Sequence, residues 1–223
     1  MTTPAPTGRK RIALIHALAH SPGPVQKEFQ RQWPDCRLMN LLDDSLSADL
    51  ADAGRLDEAM YRRFQLLAEY AIGTGADAIL FTCSAFGPCI EAVARRHASI
   101  PVLKPNEAMI KEAVRLDTLV GLVASFPPTL KSMPGDFPAG SRIDCELAEG
   151  ALAALDAGDL AEHDRLVVEA ARRLQQRGCG AIALTQFSMA RAAEAVSAAV
   201  PLPVLTTVGS AVAELRARLL QDA

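Results

Sequence analysis

Residues 75–85 read GADAILFTCSA, and residues 178–188 read GCGAIALTQFS. Placed over each other at an offset of 103 residues (178 minus 75), both stretches begin with glycine, continue with an apolar run and reach a threonine at the same position. Cys83 of the first stretch then falls on Gln186 of the second. We infer that the chain contains one strand–turn–helix unit twice, with a thiol and an amide in equivalent places.

The similarity between the two halves extends beyond these stretches. Glu-Ala-Val occurs at 91–93 and at 194–196. Pro-Val-Leu occurs at 101–103 and, one residue out of step, at 203–205. A duplicated unit predicts two similar lobes related by a pseudo-twofold axis.

The order of the predicted elements indicates an α/β fold. Short apolar runs alternate with amphipathic stretches, which predicts parallel sheets covered by helices on both faces. We expect a flexible N-terminal segment (1–11), a first lobe (12–117 and 205–223) and a second lobe (118–204). Ligands of such folds bind beyond the carboxyl ends of the strands, so we place the active site in the cleft between the lobes. The predicted strands are 12–16, 78–82, 101–103, 119–124, 181–185 and 203–206.

The segments between these strands differ in their apolar periodicity. An apolar stripe over residues 56–72 predicts a helix, and Asp159 is expected to cap the N-terminus of a later helix. Residues 40–56 and 125–142 lack such a stripe and are expected to be mostly loop. A helix is expected over residues 144–157.

The composition excludes several classes of function. The 223-residue chain is 50% hydrophobic but only 4% aromatic, with a net charge of −3 and no basic run longer than Arg9-Lys10-Arg11. We therefore expect no nucleic-acid partner. No apolar stretch is long enough to span a membrane and no signal-peptide core is evident, so we expect no membrane partner and a cytoplasmic location. The five cysteines are scattered without a CxxC pair, which argues against disulfides and a structural zinc site.

Cys83 lies between a predicted strand and a helix that is expected to begin near Pro88. Free N–H groups at a helix start attract anions, and the same field lowers the pKa of a thiol. We therefore expect this turn to bind a carboxylate and to hold a reactive Cys83. The alternative is a buried, inert cysteine at a strand end.

Five motifs occur in order: IALI at 12–15, TCSA at 82–85, IPVL at 100–103 with EAM at 107–109, VGLVAS at 120–125 with Thr129 and Ser132 after it, and LTQFSM at 184–189. Together they resemble the aspartate/glutamate/hydantoin racemase superfamily, whose relatives include maleate isomerase and arylmalonate decarboxylase. The resemblance covers nearly the whole chain and implies a cofactor-independent enzyme.

Racemases of this family use two cysteines on opposite faces of the substrate, and the resemblance assigns the first role to Cys83. Gln186 stands at the second position, where an amide can hydrogen-bond but cannot exchange a proton near neutral pH. The decarboxylase relatives also use one cysteine, but it lies in the half of the chain opposite to the one that carries Cys83 here. His16, which follows the first strand, is the candidate for a second acid or base, and the alternative is a loop residue without a role.

Polar groups that follow the predicted strands are the expected carboxylate donors. The resemblance and their positions assign substrate binding to Ser84, Ala85, Ser125, Thr129, Phe187 and Ser188. Helix capping is the alternative role for the serines and the threonine. A metal site formed by His16, His20 and Cys83 lacks a fourth ligand, so no metal is expected.

We therefore expect a racemase or isomerase that acts on a small carboxylate, such as an amino acid, a hydantoin or a dicarboxylate. An enolate-like intermediate would form, with Cys83 as acid and base. The first alternative is a decarboxylase of a malonate-like or β-keto acid, with Cys83 as its single proton donor. The second is a carboxylate-binding protein without activity. A homo-oligomer is possible.

Overall fold

A computed structural model describes residues 9–221. Residues 1–8 and 222–223 lie outside the described residues, and with them most of the predicted flexible segment 1–11. The strands are β1 (Arg11–His16), β2 (Arg37–Leu42), β3 (Ala78–Phe81), β4 (Val102–Leu103), β5 (Val120–Ala124), β6 (Ile143–Leu147), β7 (Ala181–Leu184) and β8 (Val204–Thr206). The α-helices are α1 (Pro22–Gln32), α2 (Ser45–Ala53), α3 (Glu58–Gly73), α4 (Gly87–Arg96), α5 (Glu107–Arg115), α6 (Pro127–Ser132), α7 (Ala151–Asp156), α8 (Leu160–Gln176), α9 (Ala193–Ala199) and α10 (Thr207–Gln221). Short 3-10 segments cover Ser84–Phe86, Met133–Asp136 and Phe187–Ala192.

The strands form two four-stranded parallel sheets of the same order, β2-β1-β3-β4 and β6-β5-β7-β8. Their registers are equivalent, because Ile12 pairs with Ala78 in the first sheet and Val120 pairs with Ala181 in the second. Helices flank both sheets. The predicted α/β fold of two similar lobes is therefore confirmed.

The turns repeat between the halves as well. Gly75 and Gly178 each follow a long helix by two residues and adopt φ angles of +82° and +88°. This left-handed region favours glycine and commonly ends helices. The side chains of Asp57 and Asp159 each accept a hydrogen bond from the backbone N–H three residues later, at the starts of α3 and α8. The predicted cap at Asp159 is confirmed.

The two lobes exchange one helix each. α5 follows β4 of the first sheet, yet its Met109 packs with Leu122 of the second sheet. α10 follows β8 of the second sheet, yet its Val212 packs with Leu14 of the first sheet. The sequence division placed both α5 and residues 205–223 in the first lobe. In the structure, only α10 packs on the first sheet, and the two exchanged helices contact each other.

The sequence did not predict β2 and β6, each of which is the outer strand at one edge of its sheet. The expectation of a loop over 40–56 is wrong, because β2 extends to Leu42 and α2 follows it. The helix expected over 144–157 is wrong in its first half, which forms β6, and the loop expected over 125–142 contains α6. β2 and β6 are partly exposed along most of their length, so no continuous apolar run marks them.

No helix within residues 9–221 combines the length and the apolar character that a membrane crossing requires.

The second lobe has one unusually close contact between sheet and helix. A Cβ atom on Gly121 of β5 would lie 2.9 Å from Cδ1 and 3.0 Å from Cβ of Leu174 on α8. The equivalent residues of the first lobe, Ala13 and Ala71, share one buried cluster. The second lobe therefore sets glycine against leucine where the first lobe has two alanines.

We predict that Gly121→Ala lowers the free energy of unfolding by about 1–3 kcal/mol, because it overpacks this contact. Adding Leu174→Ala should offset part of that loss, so the double variant should be more stable than the sum of the single changes implies. Urea denaturation of the three variants measures this coupling. Gly73→Ala, with nothing within 4 Å of its added Cβ, is the control. Strict additivity would show that the two residues do not compete for space.

Candidate active site

Cys83 and Gln186 hold equivalent backbone positions at the carboxyl ends of β3 and β7. Each comes two residues after its strand, and the φ and ψ angles are −124° and 121° for Cys83 and −127° and 143° for Gln186. A 3-10 segment follows each of them. We call residues 83–86 the cysteine turn and residues 186–192 the glutamine turn. The alignment of the two positions in the sequence is confirmed.

Threonines anchor both turns to the neighbouring strand. The N–H of Thr82 donates to the Ile15 carbonyl at 3.0 Å, and the N–H of Thr185 donates to the Val123 carbonyl at 3.1 Å. The Thr185 hydroxyl donates to the same Val123 carbonyl at 2.8 Å. These bonds fix where the residues that follow, Cys83 and Gln186, leave the sheet.

Burial keeps the Cys83 thiol neutral. It raises the pKa of Cys83 to about 11, although the neighbouring Ala85 backbone and Ser47 side chain act in the opposite direction. The expected lowering of this pKa is therefore wrong. Only three residues of 3-10 helix separate Cys83 from α4, and the cost of desolvating a thiolate outweighs the hydrogen bonds they provide. A neutral thiol is suited to donate a proton.

The Gln186 side chain binds to the residue that follows β5. Its Oε1 accepts hydrogen bonds from the Ser125 N–H at 2.6 Å and from the Ser125 hydroxyl at 3.1 Å. It makes no side-chain cap to the glutamine turn, so capping is not its role. Two donors that converge on one oxygen also match what a carboxylate oxygen requires.

The two lobes meet at these turns. α6 of the second lobe contacts the 3-10 segment Ser84–Phe86 of the cysteine turn, and α1 of the first lobe contacts the glutamine turn. Thr129 lies on α6 and is buried. The structure therefore brings Ser84, Ala85 and the helix that carries Thr129 together, at the junction where Ser125 holds Gln186.

His16 lies next to this junction but not at its surface. Its side chain is completely buried, with Nδ1 at 2.9 Å from the Thr82 hydroxyl and Nε2 at 3.0 Å from Asn40 Oδ1. Burial lowers the pKa of His16, although the bond to Asn40 opposes this shift. Because both ring nitrogens are engaged, the geometry does not support His16 as the second acid or base. It supports a role in positioning Thr82, the neighbour of Cys83.

The side chain of Phe187 belongs to the core. Its side chain is 2% exposed and packs with Ile12 and Leu14 of β1 and with Val208 of α10. The glutamine turn directs this side chain into the first lobe, so only the backbone of Phe187 is left for substrate, and its role in substrate binding stays a prediction. Ser188, the next residue, is buried within the same turn.

Three contacts were not anticipated from the sequence. Ser47 on α2 and Asn40 on β2 lie in a stretch that was expected to be loop, although an asparagine between two apolar pairs, as in LMNLL, was a signal. His20 bonds to Asp156 at 2.8 Å and so links the β1–α1 loop to α7 of the second lobe. Within residues 9–221, no group of three or more His, Cys, Asp or Glu side chains is arranged to hold a metal ion.

A family model described as Asp/Glu/hydantoin racemase matches residues 31–215. No curated protein matches the chain.

Several solved structures have the same fold. An allantoin racemase from Klebsiella pneumoniae superposes with a TM-score of 0.74 at 18% identity, covering 96% of this chain and 89% of the racemase. A glutamate racemase isoform from Bacillus anthracis gives 0.72 at 14% identity, covering 97% and 84%. A mutant of arylmalonate decarboxylase in a sulfate-associated form gives 0.67 at 15% identity, covering 92% of each chain.

We predict that iodoacetamide labels Cys83 slowly at neutral pH. With a pKa of about 11, the thiolate fraction and the labelling rate should rise about tenfold per pH unit from pH 7 and level off above pH 11. Peptide mapping of the native protein measures the profile, and the urea-denatured chain, with an ordinary thiol pKa of about 8.5, is the control. A native rate that is already constant between pH 7 and pH 9 would contradict a neutral thiol with a raised pKa.

Proposed function

We propose that this chain, which belongs to the Asp/Glu/hydantoin racemase family, is a cofactor-independent racemase or isomerase that transfers a proton at the α-carbon of a small carboxylate. One observation carries the proposal: Cys83 follows a central strand of the first sheet, and its turn meets α6 of the second lobe, at the junction where Ser125 donates to Gln186. The racemase fold supports the class of reaction, and the hydrogen-bond donors of the site indicate the class of substrate.

The substrate carboxylate would bind to the cysteine turn. The Ser84 hydroxyl and the Ala85 N–H are its first donors, and Thr129 on α6 adds a hydroxyl from the other lobe. When the α-proton leaves, negative charge develops on the carboxylate oxygens of the enolate. Fixed donors in a site without bulk water stabilise that charge more than they stabilise the ground state.

Cys83 would exchange the proton. Its thiolate takes the α-proton, the electrons of the C–H bond move into the enolate, and the resulting thiol can return a proton to the carbon. Return on the same face regenerates the substrate, so inversion needs a proton from the opposite face. Gln186 cannot supply it but can orient a water molecule that does, and the hydroxide left behind takes the proton of the Cys83 thiol, which restores the thiolate. Because burial raises the pKa of Cys83 to about 11, the thiolate is scarce before substrate binds.

The single thiol, with the amide of Gln186 at the equivalent position of the second half, makes decarboxylation a second candidate function. In that reaction one carboxylate of a malonate-like or β-keto acid leaves as CO2, and the electrons of the broken C–C bond form the enolate. The Cys83 S–H then protonates the carbon, and water restores the proton to sulfur. This sequence needs one thiol in its protonated form, which is the form that the raised pKa provides.

A reaction in deuterated water distinguishes these functions. Aspartate, glutamate, allantoin and phenylmalonate are suitable probes, because the family name and the solved relatives indicate these types of acid. Deuterium at the α-carbon without loss of carbon supports the racemase or isomerase. CO2 release with one deuterium retained supports the decarboxylase. Binding without either product supports a non-catalytic carboxylate-binding protein.

The cytoplasmic location and a homo-oligomer stay predictions.

We predict that Cys83→Ser loses turnover by at least about 10²–10⁴-fold, the usual contribution of a general acid or base. A serine hydroxyl keeps the shape of the site but has no accessible anion near neutral pH. Thermal stabilisation by the bound acid should persist. Cys36→Ser, a change at another partly exposed cysteine, is the control and should keep its activity. Wild-type turnover in Cys83→Ser would exclude the thiol from the mechanism.

We predict that Gln186→Cys gains α-proton exchange on an acid that the wild type binds. The change would place a thiol on the face of the substrate opposite to Cys83. It also removes the oxygen that accepts hydrogen bonds from Ser125. The gain should be small, because placement errors of about 1 Å cost about 100-fold. Gln186→Ala, which frees the Ser125 donors without adding a thiol, is the matched control. Equal exchange by the Cys and Ala variants would show that the new thiol takes no part.

A further inference from the structure

The glutamine turn differs from the cysteine turn in its length. The 3-10 segment that follows Gln186 runs over six residues, Phe187–Ala192, whereas the segment that follows Cys83 has three, Ser84–Phe86. Hydrogen bonds in a 3-10 helix have poorer geometry than those in an α-helix, so runs of more than about four residues are uncommon. The longer turn therefore depends on contacts outside itself to keep its shape.

A network of three side chains joins the far end of this turn to α8. Nη1 of Arg191 donates to the carbonyl of Leu160 at 2.8 Å and to Oδ1 of Asp164. The same Asp164 oxygen lies 2.8 Å from Nδ1 of His163. Because a carboxylate can only accept, Nδ1 carries a proton and donates this hydrogen bond. Arg191 and His163 thus converge on one oxygen, and we call His163, Asp164 and Arg191 the arginine network.

The arginine network includes a buried group without a partner. The His163 side chain is completely buried, and its Nε2 has no hydrogen-bond partner among the described residues. Such groups are rare because each lowers the free energy of unfolding. At the offset of 103 residues, the first half has Met60, Tyr61 and Pro88 in place of the network, and Met60 belongs to a buried apolar cluster. Apolar packing is enough at the equivalent helix, so stability alone does not explain the network.

We propose that Arg191 is a positioning residue for Gln186. The apolar contacts of the glutamine turn, such as those of Phe187 with the first lobe, have no preferred direction. The hydrogen bonds of Arg191 are directional, so they fix how the turn leaves β7 and how it presents the Gln186 amide to Ser125. The consequence for catalysis rests on the function proposed above, whereas the consequence for the bond between Gln186 and Ser125 does not.

Hydrogen exchange of the Ser125 amide, followed by NMR, tests the proposal without any substrate. This N–H donates to Gln186 Oε1 at 2.6 Å, so Gln186→Ala gives the exchange rate expected when the bond is absent. Arg191→Met should raise the Ser125 rate about tenfold toward that value, because the variant loses hydrogen bonds that involve a charged group. The N–H of Ile182, which is bonded within the second sheet, monitors the stability of the whole lobe and should change less.

Further variants separate the arginine network from ion pairs in general. Arg165→Met removes bonds to Glu162 and Glu169 on the exposed face of α8 and should change neither exchange rate. Asp164→Ala should repeat the effect of Arg191→Met, and the double variant should exchange no faster than either single one, because both changes break the same ion pair. Arg191→Lys keeps the charge and should retain part of the protection.

The opposite outcomes contradict the proposal. It fails if Arg191→Met leaves the Ser125 rate unchanged, or if the Ser125 and Ile182 rates rise by the same factor, since Arg191 would then only stabilise the lobe. It fails also if Arg165→Met has the same effect as Arg191→Met.

Turnover tests the consequence for catalysis separately. On an acid that the wild type turns over, Arg191→Met should lower kcat but should cause no further loss in Gln186→Ala. An equal loss in both backgrounds would show that Arg191 does not act through Gln186. A protein that turns over none of the acids would contradict the proposed function, and the exchange rates would still decide the role of Arg191.

Discussion

The reciprocal exchange of α5 and α10 is the constraint on which the rest of the structure depends. Each helix leaves one sheet and packs on the other, so that Met109 is buried against the second sheet and Val212 against the first. Neither lobe can complete its core without the other. The exchange therefore ties the two sheets together, and the contacts of α6 with the cysteine turn and of α1 with the glutamine turn follow from that arrangement.

Duplication explains both the symmetry of the site and its limits. The two turns leave their strands with nearly the same backbone angles, but one carries a thiol and the other an amide. The amide is tied to Ser125, so the second half offers hydrogen-bonding groups where the first half offers a titratable group. The proposed proton transfer would therefore be asymmetric, with Cys83 as its one titratable group.

The sequence was sufficient where burial leaves a clear pattern. β3 and β7 lie inside their sheets, so their apolar runs and the glycines before them revealed the repeat and the positions of Cys83 and Gln186. β2 and β6 are outer strands without such a run. Because β2 was not predicted, Asn40 was not recognised as a partner of His16. The direction of Phe187 depends on a 3-10 turn that no local pattern specifies. The pKa of Cys83 depends on its packing against the first-lobe core, which is a tertiary contact.

A crystal structure with malonate bound tests the central claim most directly, because malonate is a small dicarboxylate and an analogue of the proposed acids. The account predicts one carboxylate on the Ser84 hydroxyl and the Ala85 N–H, with its central carbon in contact with the Cys83 sulfur and Gln186 on the opposite side. Malonate bound elsewhere, or a Cys83 sulfur that faces away from the central carbon, would contradict Cys83 as the group that transfers the proton.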